Sequence, residues 1–442
     1  ETKGPEASAG LTASTMPHRL RNDAVNSFVF EPITWEDRKV GDDLTVQHPS
    51  FVGKTIKKLF FHDDRLGFLS EDNVILSRAK EPFSLYRVSA RVTGAGDPID
   101  VNCASLRPAK LYSVKPFRQG LVLFSKSQQF LMYGQDGGPL FPATAKVAPI
   151  SNMEMSDDVE PIDIGTHMNF ISKTPNFVRV FAMSTKGLGE SPDILDIGRV
   201  VNEWITIDVD TLVASIQNEF IAMSSQTSNE IFFYKTYSNG KELLMESWFK
   251  WSLPGTVQSM ALDQDDMYTV TKQGNQYTIS KANLTQSPEV AIITNAQGQK
   301  INPCMDLYAQ ATSVSYDSAN DLSKCYLPYA NLPDEKNVLI VSGTTAAGTF
   351  NNSGFTITPE VDAGGTYFIV PGQDLTSVAN NVYVGYAYNF DVTLPQIYYK
   401  LDEEGKARDF TASLTISRLK FDVGLSGVLG FKLNATGRFA GK

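Results

Sequence analysis

The sequence predicts a mainly β protein, an irregular β-propeller with an additional C-terminal β domain. Three observations indicate this fold class. Short apolar stretches alternate with turn residues, and patterns typical of helices are sparse. The turns also recur roughly every 35–60 residues, which is the size of one four-stranded propeller blade. A β-sandwich also consists of many short strands, so it remains the alternative architecture.

The first predicted blade begins with a three-stranded antiparallel meander. The apolar stretches "IKKLFFH" (56–62), "RLGFLS" (65–70) and "VILSRA" (74–79) are separated by short polar segments. Asp63 and Asp64 form the first turn, because aspartate side chains bond to their own backbone there. The segment "EDN" forms the second turn.

The same pattern recurs along the chain. "GLVLFS" and "QQFLMY" flank a turn at 126–127, and "FVRVFAMS" runs up to a turn at 185–187. "EIFFYKTY" and "KELLMESWFKW" flank 238–240, where Asn239-Gly240 suits a type I′ hairpin turn. "MYTVT" and "QYTIS" flank a turn at 272–275. From the typical length of one blade, we therefore predict about five or six blades between residues 56 and 290.

One segment has apolar residues at helical spacing. In "VDTLVASIQNEF" (209–220), Asp210 stands where a helix N-cap residue would. The same segment also fits a loop followed by a strand, and both interpretations stay open.

The chain divides into three predicted parts. Residues 1–55 form an N-terminal linking segment of a longer chain, since the sequence starts at Glu1 with a polar stretch of small residues. Residues 56–290 form the propeller-like domain. Residues 291–442 form a C-terminal β domain with a Gly/Thr/Asn-rich insertion. Within it, 381–400 and 410–434 are predicted long alternating strands, and a slip near Arg418 indicates a bulge.

Composition narrows the function classes. The 442 residues carry a formal net charge of -10, and the pI is about 5.1. Nucleic-acid binding needs Lys and Arg to replace phosphate counterions, so this balance argues against a protein that wraps nucleic acid. It suits a surface that nucleic acid passes without adhering. Cys103, Cys304 and Cys325 form no C-x-x-C pair, which argues against a zinc site and a disulfide framework.

His62, Asp63 and Asp64 are the sharpest candidate for a metal or acid–base site. Adjacent strand residues point to opposite faces, so we expect His62 and Asp63 not to converge on one metal. The turn interpretation explains both aspartates. "VGKT" (52–55) resembles the end of a phosphate-binding loop, but His48 stands where that loop needs glycine, and no helix pattern follows.

Other candidate residues favour structural roles. The paired acids 157–158, 265–266 and 403–404 are typical of turns and solvated surface, although two carboxylates held about 5–9 Å apart would serve glycoside hydrolysis. Trp248 and Trp251 suit sugar binding or, more commonly, packing inside a blade. No catalytic, cofactor-binding or metal-binding residue is therefore assigned, and no cofactor is expected.

Several longer stretches together carry a family resemblance. They are "MPHRL" (16–20), "WEDRKVGDD" (35–43), "HPSFVGKTI" (48–56), "DDRLGFLSEDNVILSRAKEPFSLY" (63–86), "GDPIDVNCAS" (96–105), "LVLFSKSQQFLM" (121–132), "ESWFKWSLPG" (246–255), "VGYAYNFDVTLPQIYY" (384–399) and "TISRLKFDVGLSG" (415–427). Their order and spacing resemble those of the corresponding stretches in tail tubular protein B, the nozzle protein of T7-like podoviruses, over nearly the whole chain. Two departures occur: Asp64 stands where the family has Asn, and "VQHPSF" replaces "NPxPSF".

The resemblance implies a structural virion protein and not an enzyme. It implies a homohexamer at the distal end of a short tail, below the adaptor (tail tubular protein A) ring, with tail fibres attached near that junction. Phage DNA would pass through an acidic lumen without sequence-specific binding, and the tail would meet the host cell envelope on infection. The virion tail would be assembled in the bacterial host cytoplasm. The alternative is a propeller that binds or hydrolyses host surface polysaccharide.

The resemblance also assigns structural roles. Arg65 is expected to anchor its turn or an intersubunit contact. "GDPID" (96–100) is expected to be a structural corner, since Pro98 fixes its φ and Asp97 can bond to nearby amides. The loops 134–142 and 343–366 are the candidates for lining or gating the lumen, because they are long and fit a blade poorly.

Overall fold

The computed structural model divides the chain into two compact units, Glu1–Ala282 (unit 1) and Asn283–Lys442 (unit 2). The structure describes residues 10–105, 109–117, 120–165, 167–184, 191–238, 243–285, 293–294, 300–301, 306–329, 337–341, 353–356, 359–386, 388–393, 399–402, 408–409, 418 and 420.

Unit 1 begins with a short 3-10 helix, Ala13–Thr15, and a β-hairpin. The hairpin pairs β1, His18–Ala24, with β2, Ser27–Pro32, in antiparallel register. Residues on either side of it, including Met16, Ile33 and Trp35, are buried against the first large sheet. The hairpin is therefore held at its base.

Five antiparallel sheets follow in chain order within the described part of unit 1, and we name them blades 1 to 5. The first two have the following strands: β3 Ile56–His62, β4 Arg65–Ser70, β5 Asn73–Leu76 and β6 Ile99–Asn102 in blade 1; β7 Leu111–Phe117, β8 Gly120–Ser125, β9 Gln129–Tyr133 and β10 Lys146–Ser151 in blade 2. A single 3-10 turn, Gln135–Gly137, lies between β9 and β10.

The remaining blades continue the same arrangement. Their strands are β11 Ile162–Asp163, β12 Met168–Lys173, β13 Val178–Ser184 and β14 Asp193–Asp196 in blade 3; β15 Thr211–Ser215, β16 Phe220–Ser224, β17 Glu230–Ser238 and β18 Leu243–Ser252 in blade 4; β19 Thr256–Asp263, β20 Asp266–Gln273 and β21 Gln276–Asn283 in blade 5. Blades 1 to 4 have four strands each and blade 5 has three. The predicted fold class, mainly β and propeller-like, is confirmed.

Neighbouring blades pack face to face through apolar clusters, so a central blade buries both of its faces. This explains why every residue of β8 and of β16 is buried instead of every second one. The clusters include Leu69, Leu76 and Leu123 between blades 1 and 2, Phe124, Phe170 and Met183 between blades 2 and 3, and Val180, Ile221 and Phe232 between blades 3 and 4.

The predicted meander of blade 1 is confirmed. His62 pairs with Arg65, so Asp63 and Asp64 are the two central residues of the hairpin turn. Both have positive φ, 48° and 57°, as a type I′ turn requires. The third strand ends at Leu76, earlier than the predicted end at Ala79.

The helical interpretation of 209–220 is wrong, and the strand alternative holds. The segment contributes β15 and the start of β16, which pair as a hairpin. The Ser215 hydroxyl accepts the Asn218 N–H, and Glu219 has a φ of 50°, so the chain turns where a helix would continue. The Asp210 carboxylate does not cap a helix but accepts the Gln226 N–H at 3.0 Å.

The described part of unit 2 contains two four-stranded sheets, ordered β24-β31-β27-β28 and β25-β26-β30-β29, and two short hairpins. Its strands are β22 Ile293–Thr294, β23 Lys300–Ile301, β24 Asp306–Gln310, β25 Ser313–Asp317, β26 Leu322–Tyr326, β27 Asn337–Val341, β28 Ser353–Thr356, β29 Pro359–Asp362, β30 Gly365–Pro371, β31 Val382–Tyr386, β32 Tyr399–Lys400 and β33 Arg408–Asp409. A 3-10 segment, Thr376–Asn381, precedes β31. The two larger sheets share an apolar core that includes Cys325, Phe368, Val370, Val382 and Val384.

The prediction of one long strand over 381–400 is wrong. β31 ends at Tyr386, and residues 388–393 form no strand although apolar and polar residues alternate there. Tyr388 and Phe390 are exposed. Alternation alone therefore does not extend the strand, because only Val382–Tyr386 has partner strands on both sides. The predicted strand 410–434 with its bulge near Arg418, and the Asn239-Gly240 turn, lie outside the described residues, apart from positions 418 and 420.

Candidate functional site: two buried anchors and an ion-pair link between blades

Arg65, directly after the first turn of blade 1, has a buried side chain. Its Nη1 donates to the carbonyl oxygens of Ser77 and Asp97, both at 2.7 Å, and its Nη2 donates to the carbonyl of Ala95 at 2.8 Å. Burial lowers the pKa of Arg65, while the charges of Asp63 and Asp97 oppose that shift. The guanidinium therefore fastens the β5–β6 loop to the start of β4, directly after the turn. An intersubunit contact of Arg65, the other predicted role, stays a prediction.

Asp97 holds the same loop from within. Its carboxylate accepts the N–H of Gly94 at 2.7 Å and the N–H of Val88 at 3.3 Å. Asp97 is buried, and a buried carboxylate must be hydrogen-bonded to be tolerated. The structural corner predicted for "GDPID" is confirmed.

His62 and Asp63 approach each other, contrary to expectation. His62 Nε2 lies 3.5 Å from Asp63 Oδ2. The strand-face argument fails here because Asp63 is a turn residue with positive φ, not a strand residue. Nevertheless, the part of the chain that the structure describes contains no group of three or more His, Cys, Asp or Glu side chains arranged to hold a metal.

A second buried network lies in the N-terminal part of unit 1. Arg38 is fully buried, donates to the Val46 carbonyl at 2.8 Å and lies 2.5 Å from Asp43 Oδ1. His48 Nδ1 is 2.7 Å from the Tyr86 hydroxyl. Burial raises the pKa of Tyr86 to about 12, so this hydroxyl stays protonated at neutral pH. The network joins the stretches 35–48 and 84–86.

The "VGKT" segment is a turn and not a phosphate-binding loop. Gly53 has a φ of 78°, and the chain continues into strand β3 at Ile56. A phosphate-binding loop needs a helix N-terminus at that point to present backbone N–H groups. The exclusion made from the sequence is confirmed.

Glu160 links three blades. Its carboxylate lies 2.7 Å from Lys58 of β3 and 2.7 Å from Lys115 of β7, and Glu160 itself stands just before β11. Burial would raise the pKa of Glu160, but the hydrogen bonds from Lys115 and Lys58 outweigh it, and the net pKa is lowered. The carboxylate is therefore ionised at neutral pH and pairs with both lysines.

The paired acids are engaged in ordinary polar contacts. Asp157 and Asp158 form ion pairs with Lys126 and Lys173. Asp265 accepts the Asn218 amide at 3.0 Å, and Asp266 lies 2.6 Å from Lys281 Nζ. Glu403 and Glu404 lie outside the described residues. The contacts of the two described pairs thus match the structural interpretation.

Trp248 and Trp251 lie on opposite faces of β18. Trp248 donates its Nε1–H to the Ile197 carbonyl at 3.0 Å and packs on the cluster between blades 3 and 4. Trp251 is partly exposed, with its ring centroid 4.4 Å from that of Phe233. Blade packing, the commoner role, is confirmed for Trp248.

Comparison with known proteins identifies the family. The profile of bacteriophage nozzle proteins matches residues 1–440. The chain belongs to the bacteriophage nozzle protein family. The resemblance drawn from the ordered sequence stretches is therefore confirmed, and the nozzle family places the chain among phage tail proteins.

A curated relative of this nozzle-family chain is the tail tubular protein gp12 of Escherichia phage T7. The two are 28% identical over 334 residues, which cover 74% of this chain and 41% of the T7 protein. The chain thus spans less than half the length of that relative.

Solved structures show more distant similarity. Hsv2p of Kluyveromyces lactis is 9% identical, with 68% of this chain and 85% of that chain covered at a TM-score of 0.33. The WD40 domain of Neurospora crassa Pan2 is 10% identical, with 78% and 92% covered at a TM-score of 0.31. No conclusion about the nozzle-family chain follows from TM-scores of this size.

The stretches that resemble the nozzle family supply both buried anchors. Arg38, Asp43, His48 and Tyr86 come from three of them, and Arg65 and Asp97 from those at 63–86 and 96–105. These residues hold loops in place. No helix among the described residues is long and apolar enough to cross a membrane.

Glu160 was missed by sequence reasoning. It follows the noted pair 157–158, but no local pattern distinguishes it from a solvated acid. Its partner Lys58 is 102 residues away in the sequence. Only the packing of blades brings the three side chains together.

Proposed function

We propose that this chain is a subunit of a homohexameric nozzle at the distal end of a short phage tail. Copies of the chain would form the channel and the gate through which the genome is ejected into the bacterial host. The observation that carries this proposal is the match of the nozzle family to residues 1–440. The name of the T7 relative, a tail tubular protein, agrees with a channel-forming role.

The fold suits the wall of a channel. Blades that bury both faces form a rigid body, and the Glu160 ion pairs tie three of them together. The Arg65 and Arg38 networks fix loops that would otherwise be mobile. These features support a structural role for the chain.

The charge of the chain suits the passage of DNA. The formal net charge is -10, and acidic residues that faced the lumen would repel duplex DNA, so that it slides past the wall instead of binding. The repulsion weakens with salt, because surface charges are screened beyond about 8 Å at physiological ionic strength. Phage DNA would therefore be a passing cargo and not a specific ligand.

The proposed partners follow from a position at the tail tip. They are further copies of the chain, the adaptor (tail tubular protein A) ring, the tail fibres and, on infection, the host cell envelope. Assembly would take place in the host cytoplasm and the mature location would be the virion tail. The loop 134–142 remains a candidate lumen loop. Half of 343–366 lies outside the described residues, and the described half contains β28, β29 and the start of β30.

A structural role also implies that the chain is not an enzyme. The alternative, a propeller that binds or hydrolyses surface polysaccharide, receives no specific support from the described residues. Their acid pairs are neutralised by lysines or held by an amide, and Trp248 is turned into the blade cluster.

The mass of the purified chain in solution, measured by light scattering with negative-stain images of the same sample, tests the proposal. A ring with a central hole, formed by the chain alone or after addition of the adaptor ring, is the expected result. Failure to form a ring under both conditions would contradict the nozzle proposal. Turnover of host polysaccharide that a single Asp or Glu substitution abolishes would favour the alternative.

A further inference from the structure

Blades 4 and 5 enclose a cleft at one end of their sheets, which we name the polar cleft. It is lined by Thr206, Asp208 and residues 227–229, 255–256 and 272–274, and its volume is about 580 Å³. These residues lie before β15, in the β16–β17 turn and around the β18–β19 and β20–β21 connections. Pockets for small ligands have volumes of about 300–1,000 Å³, so the polar cleft is large enough for one.

The lining of the polar cleft is hydrophilic. Its residues are threonine, serine, asparagine, glutamine, aspartate, lysine and glycine. Ligand sites usually have mostly apolar walls with a few polar groups. Because hydroxyl, amide and charged groups dominate here, a ligand would be held chiefly by hydrogen bonds. The composition therefore excludes a ligand that is mainly hydrocarbon.

Two side chains of the lining have polar atoms without a hydrogen-bond partner in the part of the chain that the structure describes. The atoms are Thr206 Oγ1 and Gln273 Oε1, and both are shielded from solvent, which costs free energy. The two residues themselves are partly exposed, so rotation about a side-chain bond turns each atom toward the cleft. The amide oxygen only accepts, and the hydroxyl donates or accepts, so a ligand with O–H groups satisfies both.

The lining contains one acid and one base, Asp208 and Lys272. Asp208 is exposed, and the Lys272 ammonium lies over the Tyr277 ring, 5.5 Å from its centroid. An anion would be repelled by Asp208 and a cation by Lys272, so the charges favour a neutral ligand. The Asp208 carboxylate also adds a strong acceptor for hydroxyl groups.

The walls of the polar cleft are held together by hydrogen bonds. The Val257 N–H donates to the Ser228 carbonyl at 2.9 Å. The Thr256 hydroxyl donates to the Lys272 carbonyl at 3.3 Å. Gly255 has a φ of 82°, and a Cβ there would lie 2.6 Å from the same carbonyl oxygen, so this close approach requires glycine. A site that is already formed loses little conformational entropy when a ligand binds.

We propose that the polar cleft binds a small neutral saccharide, a mono- or disaccharide, whose hydroxyl groups hydrogen-bond to Asp208, Thr206 and Gln273. Each sugar hydroxyl both donates and accepts, which matches the mixture of groups in the cleft. The lining has a single carboxylate, whereas glycoside hydrolysis uses two, so the site binds its ligand without cleaving it. A cleft of about 580 Å³ suits a short saccharide and not a polysaccharide chain. This inference does not rest on the proposed ring.

Saturation-transfer NMR on the purified chain tests the proposal. The probes are glucose, galactose, N-acetylglucosamine, maltose and lactose. At least one of them should give a saturation-transfer signal and bind with a millimolar Kd in titrations. Glucuronate and glucosamine, the anionic and cationic counterparts of glucose, should bind more weakly than the best neutral sugar, because each meets a like charge in the cleft.

Three substitutions assign the binding to the polar cleft. Thr206→Val and Gln273→Met each remove one hydrogen-bonding group with little change in volume, and each should raise the Kd of the best sugar by about 2–10-fold. Asp208→Ala should raise it further, because hydrogen bonds to a charged acceptor are stronger. Thr278→Val, on β21 outside the cleft, is the matched control and should bind like the wild type. Thermal unfolding checks that every variant is folded.

The absence of a signal from all five neutral sugars would overturn this inference. Binding that survives all three cleft substitutions, or that is tighter for a charged sugar, would overturn it as well. The ring assay gives a separate answer. Rings without saccharide binding contradict this inference alone, and saccharide binding by a chain that forms no ring even with the adaptor ring contradicts the nozzle proposal alone.

Discussion

Arg65 and Asp97 hold one loop by complementary means. The Arg65 guanidinium donates to the main-chain carbonyl of Asp97 at 2.7 Å, and the Asp97 carboxylate accepts the Gly94 N–H at 2.7 Å. Both side chains are buried, so neither set of hydrogen bonds can be replaced by water without opening the blade.

Arg65→Met should therefore destabilise unit 1 by about 3 kcal/mol, because it leaves buried carbonyl oxygens without donors. Urea unfolding followed by tryptophan fluorescence measures this, since all four tryptophans lie in unit 1. Arg87→Met is the control, as Arg87 is exposed and donates to the Thr93 hydroxyl, not to buried carbonyl groups, among the described residues. If Arg65→Met changes the free energy of unfolding by less than about 0.5 kcal/mol, the usual range for surface substitutions, the anchoring role of Arg65 is refuted.

The turn at Asp63 and Asp64 predicts opposite effects for two substitutions at one position. Asp64 has a φ of 57°, which glycine adopts freely and a β-branched residue does not. Asp64→Gly should leave the free energy of unfolding unchanged or raise it by up to about 1 kcal/mol. Asp64→Val should lower it by about 1–2 kcal/mol. Equal effects from the two variants in urea titrations would argue against a type I′ turn here.

The ion pairs of Glu160 should make a pH-dependent contribution to the free energy of unfolding. Its pKa is lowered in the folded protein, so the contribution is present above the unfolded value of 4.5 and is lost as the pH falls through the folded value. Because the side chains are partly exposed, Glu160→Gln should cost only about 1 kcal/mol at neutral pH.

The comparison of wild type and Glu160→Gln at pH 7 and pH 3 tests this. The difference in unfolding free energy should shrink as the pH falls. Glu154→Gln, at an exposed acid on the same segment, serves as the control. A difference that stays constant across this range would show that the ion pairs with Lys58 and Lys115 contribute nothing.

Two thiols should be unreactive in the native protein. Burial raises the pKa of Cys103 and of Cys325 to about 12, and the thiolate is the reactive form. In a Cys304→Ser variant, a thiol reagent at pH 8 should label neither cysteine until urea is added, and then label both. Rapid labelling of one thiol in the native protein would show that the core of its unit opens.

Local chemistry made part of this fold predictable. The first meander, the turn at 63–64 and the corner at Asp97 depend on residues close in sequence, whose turn preferences are strong. The sequence left a helix and a strand both open at 209–220, because the apolar spacing fits two periods, and packing of Leu212 on the cluster between blades 3 and 4 favours the strand.

Long-range features were not predictable in the same way. The Glu160 pairs depend on how blades stack, which no local pattern encodes. The approach of His62 to Asp63 was misjudged because the strand rule was applied to a turn residue. The exposure of the apolar side chains on the β1–β2 hairpin is visible only in the structure, because "LRNDAVNSFVF" has the pattern of an ordinary hairpin.

The order of the blades has a consequence for biosynthesis. In the described part of unit 1, each strand pairs only with the strand before or after it in the chain. Such contacts close short loops, which costs little entropy and favours rapid folding. A nascent chain that ends after Asp196 already contains blades 1 to 3, together with Glu160 and both lysines that pair with it. Limited proteolysis of ribosome-bound chains of this length can detect whether these blades have folded. Unit 1 is then built as it leaves the ribosome, and each new blade shields the apolar face that the previous one left open.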